Sequence, residues 1–268
     1  MTEPHSEQVQ EARRVTVQAT APAQGQERAA SERPAIPDNL RVNAEKRETI
    51  EVDGVAYRRF AIQTHTLTIA DDLVEVVERY IKPHVRPGDI VFMSEKAVGY
   101  TQGRAVKLTD IHPRPLAVFL SKHVTKTPAG IGLGMPETME MALQEVGTPR
   151  ILFAAAVSVV GKLFGRKGWF YKVAGRRAAS IDGPCSYTLP PYNQYVSLAP
   201  AAPDETAAQV AAALGCTAVI VDQNDLGGEV LGTSDVALDT ERVLRILKDN
   251  PLGQESQRTP FGIIRKAS

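Results

Sequence analysis

Apolar positions between Ala70 and Ile81 fall on one stripe. Leu73, Val76, Val77, Tyr80 and Ile81 recur at the three- and four-residue spacing of a helix that faces a core. Asp71 and Asp72 stand before the stripe, where negative charge meets the positive end of the helix dipole, and Pro83 blocks continuation. Upstream, Glu48 to Ile62 reads as two β-prone runs around Asp53-Gly54, a dipeptide that favours a type I′ hairpin turn. Downstream, Pro87-Gly88-Asp89 is a turn signal, and Ile90 to Met93 is an apolar run long enough for a buried strand. A polar cluster follows that run at once: Ser94, Glu95 and Lys96. A strand that ends in hydroxyl, carboxylate and ammonium groups is suited to hold a polar ligand at a sheet edge.

The rest of the chain alternates between the two periods. Pro115 to Val124 and Met135 to Val146 predict helices, the second with Pro136 in its first turn and Gly147 at its end. Arg150 to Phe164 is so uniformly apolar and small that period alone does not separate helix from strand. Gly165 to Arg177 is basic and aromatic, and Ser180 to Pro191 reads as a loop. Short strands are expected at Tyr195 to Leu198, Thr217 to Val221 and Phe261 to Ile264. Helices are expected at Glu205 to Leu214, ended by Gly215, and at Thr240 to Lys248, ended by Asn250-Pro251. Helices and strands mix without a regular βαβ beat, which predicts an α+β fold with mixed or antiparallel sheets and packed helices.

Composition changes this picture at one end. Residues 1–46 are rich in Ala, Gln, Glu, Arg and Pro and lack an apolar period, so a disordered polar tail is expected there. Residues 47–268 then form the folded domain, either whole or as two subdomains with a break near 165–190. Lys plus Arg and Asp plus Glu both number 31, so no global field points to nucleic acid or to a membrane as a partner. The N-terminus lacks a secretory apolar core, and the run Ile151 to Val160 is too short to span a bilayer. Two cysteines, Cys185 and Cys216, make no disulfide framework. The expectation is a soluble cytoplasmic protein with a small-molecule partner.

Candidate chemistry concentrates on two aspartates. Asp222 sits where the apolar run Ala218 to Val221 meets a polar stretch, with Gln223, Asn224 and Asp225 as further oxygen donors. Asp182 precedes a loop rich in Pro and Tyr. Two separated aspartates and an amide oxygen suit Mg²⁺ or Mn²⁺, which need few protein ligands when a nucleotide supplies the rest. The plainer readings are a cap or loop residue for Asp222 and a turn at Asp182-Gly183. The basic block Arg166, Lys167, Lys172, Arg176 and Arg177 reads first as a solvated face over Trp169, Phe170 and Tyr171, and second as an anion site. Gly130 to Gly134 follows no strand and reads as a linker.

Five stretches of the chain resemble one family. Pro87 to Arg104 is similar to the "GD-hydrophobic-VVT-x-K-IVSKAEGR" segment of the coenzyme F-420 gamma-glutamyl ligase family. Gln63-Thr64-His65-Thr66, followed by Ala-Asp-Asp-Leu73, takes the place of its nucleotide segment "G-x-P-E … G-D-D-L". Ala-Ala-Ser-Ile-Asp182 takes the place of "A-N-A-G-hydrophobic-D", and Val219 to Gln223 that of "V-I-I-S-D-[ST]", whose aspartates bind metal. Tyr195 to Pro200 with Pro203-Asp204 resembles "Y-V-x-L-x-P-x-x-P-D". The resemblance implies a gamma-glutamyl ligase-like α+β fold in an intertwined homodimer. It also implies Mg²⁺ or Mn²⁺ on Asp182, Asp222 and Gln223. GTP, or ATP, would lie along Gln63 to Thr66 and Ser94 to Lys96, driving amide formation through an acyl phosphate. The chain departs from the pattern at several points: Tyr100 stands where the family has a second lysine, Gln63 and Thr66 where it has Gly and Glu, Cys185 where it has Asn, and Gln223 where it has a hydroxyl residue. These departures leave a second implied reading, a non-catalytic nucleotide- or ligand-binding protein on the same fold.

Overall fold

Alternation along short apolar runs builds a seven-stranded mixed sheet at the centre of the fold. The structure, a computed structural model, describes residues 38–124, 132–166, 168–185, 188–224, 227–253 and 257–267. Strands β1 (Leu40–Arg41), β3 (Val55–Ile62), β9 (Phe261–Lys266), β4 (Ile90–Ser94), β7 (Thr217–Asn224) and β8 (Gly227–Thr233) lie side by side in that order. The seventh strand, β2 (Thr49–Val52), forms the expected hairpin with β3 around Asp53-Gly54. β4 and β7 are parallel, in register from Ile90↔Thr217 to Ser94↔Val221. β9 runs antiparallel to both β3 and β4. Hence β3, β4 and β7 all point the same way.

Each face of the sheet carries one core. Val91, Met93, Ala218, Ile220 and Ile263 pack on one side with Val76 and Val77 of α1 (Leu73–Tyr80) and Val210 and Leu214 of α8 (Pro203–Leu214). Phe92, Val219, Val221 and Ile264 pack on the other with Val243 and Ile246 of α9 (Thr240–Ile246). Consecutive residues of one strand thus serve opposite cores, as a period of two requires. Asp72 caps α1, its carboxylate accepting from the N–H groups of Val74 (2.8 Å) and Glu75 (3.0 Å), the role its position predicts.

A third core lies in the middle of the chain. It joins α3 (Pro115–His123), α4 (Pro136–Glu145), α5 (Thr148–Leu163), α6 (Trp169–Ala174) and α7 (Arg176–Ala179) with the antiparallel pair β5 (Ala105–Lys107) and β6 (Tyr195–Ser197). Glu145 braces it, paired with Arg104 at 2.5 Å and with Arg177 at 2.6 Å.

Several boundaries differ from the sequence expectations. β1 falls inside the stretch expected to be a tail, and Asn43 is buried, its amide donating to the carbonyls of Pro251 and Leu252. Of that stretch, residues 1–37 lie outside the described residues. α2 (Glu95–Thr101) begins directly at the polar cluster after β4, where no helix was expected. β7 continues through Asp222 and Gln223, expected in a loop, because β8 pairs with it along that length. Arg150 to Phe164 resolves as helix. Of the Gly130 to Gly134 linker, Gly132–Gly134 forms a single 3₁₀ turn, and Gly130 lies outside the described residues.

Candidate functional site

Polar residues gather where the three parallel-pointing strands end. β3 leads into Gln63 to Thr66, β4 into Ser94 to Lys96, and β7 carries Asp222 near its close. The segment entering β9 ties the first two together. The Arg258 carbonyl accepts from the Thr64 N–H at 3.0 Å, and the Pro260 carbonyl from the Ser94 N–H at 2.8 Å. Crevices beyond the carboxyl ends of parallel strands are where ligands of open sheets collect.

Charge makes this edge unusual. Glu95 opens α2 and is only 7 % exposed, while Ala97 and Val98 of the same helix are buried in the core against α1 and α8. Desolvation, then the charges of Asp222 and Asp182, push the Glu95 carboxyl up to about 8; Lys96 opposes and Glu229 adds to the rise. The Lys96 ammonium lies 2.7 Å from Asp182 Oδ2. Desolvation works to lower the Lys96 pKa, but the charge and hydrogen bond of Asp182 outweigh it and hold the ammonium firmly protonated. Asp222 reaches solvent, yet partial desolvation, Asp182 and Glu229 raise its carboxyl above the ordinary range, with Lys96 opposing. Glu229 faces Asp222 across the β7–β8 pair, and Arg176 of α7 neutralises Glu229 by an ion pair.

Asp182 is held by backbone rather than by a regular element. It forms an isolated antiparallel bridge with Ser197, the two residues exchanging N–H···O bonds of 3.0 and 2.9 Å. Ser197 also pairs with Ala105 of β5, so this bridge gives the end of β6 a second partner and fixes Asp182 within reach of Lys96. Gly99 lets α2 approach: a Cβ there would stand 3.0 Å from the Leu198 carbonyl, just past β6.

Tyr100 closes the group on another side. Its ring stacks on Tyr192 with centroids 3.6 Å apart and planes 11° apart, and its hydroxyl bonds with Ser197. The Tyr192 hydroxyl donates to the Leu67 carbonyl at 2.7 Å, so the stack links the segment after β3 to the charged cluster.

The structure therefore brings together Glu95, Lys96, Asp182 and Asp222, with Ser94 beside them. Gln223 does not join them. Strand alternation turns it to the face of Val219 and Val221, and its amide donates to the Gly227 carbonyl at 3.1 Å. Gln63, Thr64, His65 and Thr66 lie at the same sheet edge, but three of their side chains are engaged elsewhere, that of Gln63 donating to the Gln257 carbonyl at 3.4 Å. The His65 ring sits 2.8 Å from Asp71 Oδ1 and 3.0 Å from the Tyr80 hydroxyl, and the buried Thr64 hydroxyl donates to the His65 carbonyl at 2.8 Å. Glu229 and Tyr192 were not among the residues expected at the site, and Arg176 was expected there only as part of a basic block read first as a solvated face. Their only signal was non-local pairing: the Gly-rich run before Glu229 hides a strand, and Arg176 sits in a charge run that reads as a solvated face.

Two carboxylates, a buried third carboxyl and one ammonium leave a surplus of negative charge that a hard cation would relieve. Among the described residues no three His, Cys, Asp or Glu side chains form a closed cation cage. Asp182 and Asp222 fit the more open arrangement, in which one or two carboxylates hold a cation and ligand oxygens complete its shell.

Fold and site together define an α+β protein whose acidic, lysine-bearing site lies where the parallel-pointing strands of a mixed sheet end. The family model of the F-420-0:gamma-glutamyl ligases matches residues 61–248, well over half of the 268-residue chain. The chain belongs to that family, a family of ligases. No curated protein matches it.

Proposed function

We propose that this chain is a nucleotide- and divalent-metal-dependent ligase that joins an amino acid, glutamate in the family, to a substrate carboxylate. The observation that carries this reading is the meeting of Asp182 and Asp222, distant in sequence, around Glu95, with Lys96 2.7 Å from Asp182. GTP, or ATP, is the phosphoryl donor. A substrate carboxylate oxygen attacks the γ-phosphorus, the bond to the nucleoside diphosphate breaks, and an acyl phosphate forms. The amino nitrogen then attacks the acyl carbon, inorganic phosphate leaves, and the nitrogen releases a proton. Mg²⁺ or Mn²⁺, when bound, supplies charge neutralisation for the phosphate oxygens during transfer.

The chain's own groups divide the remaining work. Asp182 and Asp222 present carboxylate oxygens from two sides of the edge. Lys96, half-exposed, fixes the orientation of Asp182 and offers N–H donors to an entering phosphate oxygen. The Tyr100–Tyr192 stack holds the end of α2 against the segment after β3. Asp222→Ala is expected to lower metal-dependent GTP or ATP turnover on the order of a hundredfold or more, in the range seen when one electrostatic group is removed. Unchanged turnover would contradict the reading.

A second reading, a binding protein that retains the fold without the reaction, is favoured by Tyr100. In the family's pattern this position is a lysine, and here it is a ring packed on Tyr192 rather than a cation. Turnover separates the two: Mn²⁺-dependent phosphate release from GTP or ATP supports the ligase, and nucleotide binding in calorimetry without phosphate release, or no binding at millimolar nucleotide, favours the second reading.

A further inference from the structure

Asp182 is the least supported of the charged residues at the site. Glu95 and Lys96 open α2 and Asp222 stands in β7, whereas Asp182 lies between α7 and β6, outside both. It is held by its backbone bonds to Ser197 and by its ion pair with Lys96. What fixes Ser197 therefore fixes Asp182. Ser197 is buried and pairs with Ala105 of β5, and the Tyr100 hydroxyl bonds with its side chain.

Tyr100 is itself locked. Its ring lies flat on that of Tyr192, which is buried, and Tyr192 meets Tyr195 edge-on with centroids 5.3 Å apart. Tyr195 opens β6, the strand that Ser197 closes, so Tyr100 acts on both ends of that strand. Burial pushes the Tyr100 hydroxyl above its ordinary value, so the side chain stays uncharged at neutral pH. A stacked ring and a neutral hydroxyl act through direction, not through charge. Groups that stand behind metal-binding side chains set their orientation, and removing one weakens metal affinity about 10–100-fold.

We propose that Tyr100 is a positioning residue for Asp182: it fixes the end of β6, and with it the carboxylate that meets the divalent cation. This inference rests on the metal-dependent reading above. A lysine at this position would act on the phosphates of the nucleotide by charge. Tyr100 acts on the cation instead, through the strand that carries Ser197.

The test is calorimetric titration of Mn²⁺ into GTP-saturated wild type, Tyr100→Phe, Tyr100→Leu and Tyr100→Lys, with the GTP affinity of each measured separately. Tyr100→Phe keeps the stack and loses one hydrogen bond, so Mn²⁺ should bind about fivefold more weakly. Tyr100→Leu loses the stack as well and should weaken Mn²⁺ binding on the order of tenfold or more. GTP affinity should stay that of wild type in both, since neither changes charge. Tyr100→Lys should bind GTP more tightly and Mn²⁺ more weakly, effects of opposite sign that a general loss of structure would not give. Ser197→Ala should match Tyr100→Phe, and the double variant should lose no more than either, because both remove the same contact. Should Tyr100→Leu melt early, Tyr100→Phe, which keeps the ring in place, carries the test. Equal Mn²⁺ affinity in wild type and Tyr100→Phe, a loss of GTP affinity in place of Mn²⁺ affinity, or additive losses in the double variant would overturn this inference alone. A wild type that binds no Mn²⁺ in the presence of GTP would overturn it together with the ligase reading.

Discussion

Glu95 shows how much one residue's surroundings can decide. Its carboxyl, raised from 4.5 to about 8 by burial and by Asp222 and Asp182, keeps a proton that the unfolded chain gives up. Between those two values the native state binds more protons than the unfolded one, so stability falls as pH rises. One such group gives a slope of about 1.4 kcal/mol per pH unit, which vanishes above about pH 8. Denaturant titrations from about pH 5 to about pH 9 should show this loss in wild type and a flatter profile in Glu95→Gln; equal slopes would contradict it. A second residue test lies away from the site. Arg59 is 1 % exposed and donates to Asp249 through both terminal nitrogens and to the Ile246 carbonyl at 2.9 Å. Asp249→Asn leaves that guanidinium without a counter-charge and should cost about 3 kcal/mol in equilibrium unfolding, the low end for a buried pair because Asp249 is partly exposed. At this scale Asp182, Asp222, Glu95 and Lys96 were legible because each follows an apolar run or sits within a recognisable motif. Glu229 and Tyr192 were not, since each acts through a partner far away in sequence.

Elements were legible where one side of a segment faces the core and the other faces water. α1, α4, α8 and the β2–β3 hairpin match their periodicity within a few residues. α2 was missed because Gly99 in its interior lowers helix propensity, whereas burial of Ala97 and Val98 supplies the stabilisation that propensity lacks. β8 was missed because Gly227, Gly228 and Gly232 dilute its apolar signal, and without it β7 seemed to end at Val221. α5 gave no period because both of its sides are apolar. The tightest backbone approach tests the sheet directly. In β9, a Cβ on Gly262 would stand 2.3 Å from the Phe92 ring and 2.5 Å from the Phe60 carbonyl. Gly262→Ala should therefore destabilise the protein by about 1–3 kcal/mol, the range for overpacking a filled core. A denaturation midpoint unchanged from wild type would show that the sheet yields there.

At the scale of the whole molecule, topology does what no local signal announces. Placing β9 antiparallel between β3 and β4, and β7 parallel to β4, sends three strand ends to one edge. That arrangement unites motifs scattered from Gln63 to Asp222, and sequence patterns of period two or 3.6 carry no information about it. Composition was equally silent about distribution: the chain's zero net charge averages over a segment, Val146 to Ile181, whose charges are all positive. The central claim is that Asp182 and Asp222 belong to one site that takes a divalent cation together with a nucleotide. The most direct measurement is a calorimetric titration of Mn²⁺ into wild type with and without GTP, and into Asp182→Asn and Asp222→Asn saturated with GTP, with circular dichroism as the check on folding. Wild type should bind Mn²⁺ only when nucleotide is present, and each variant should bind about tenfold or more weakly. Equal affinity in all three proteins would contradict the account.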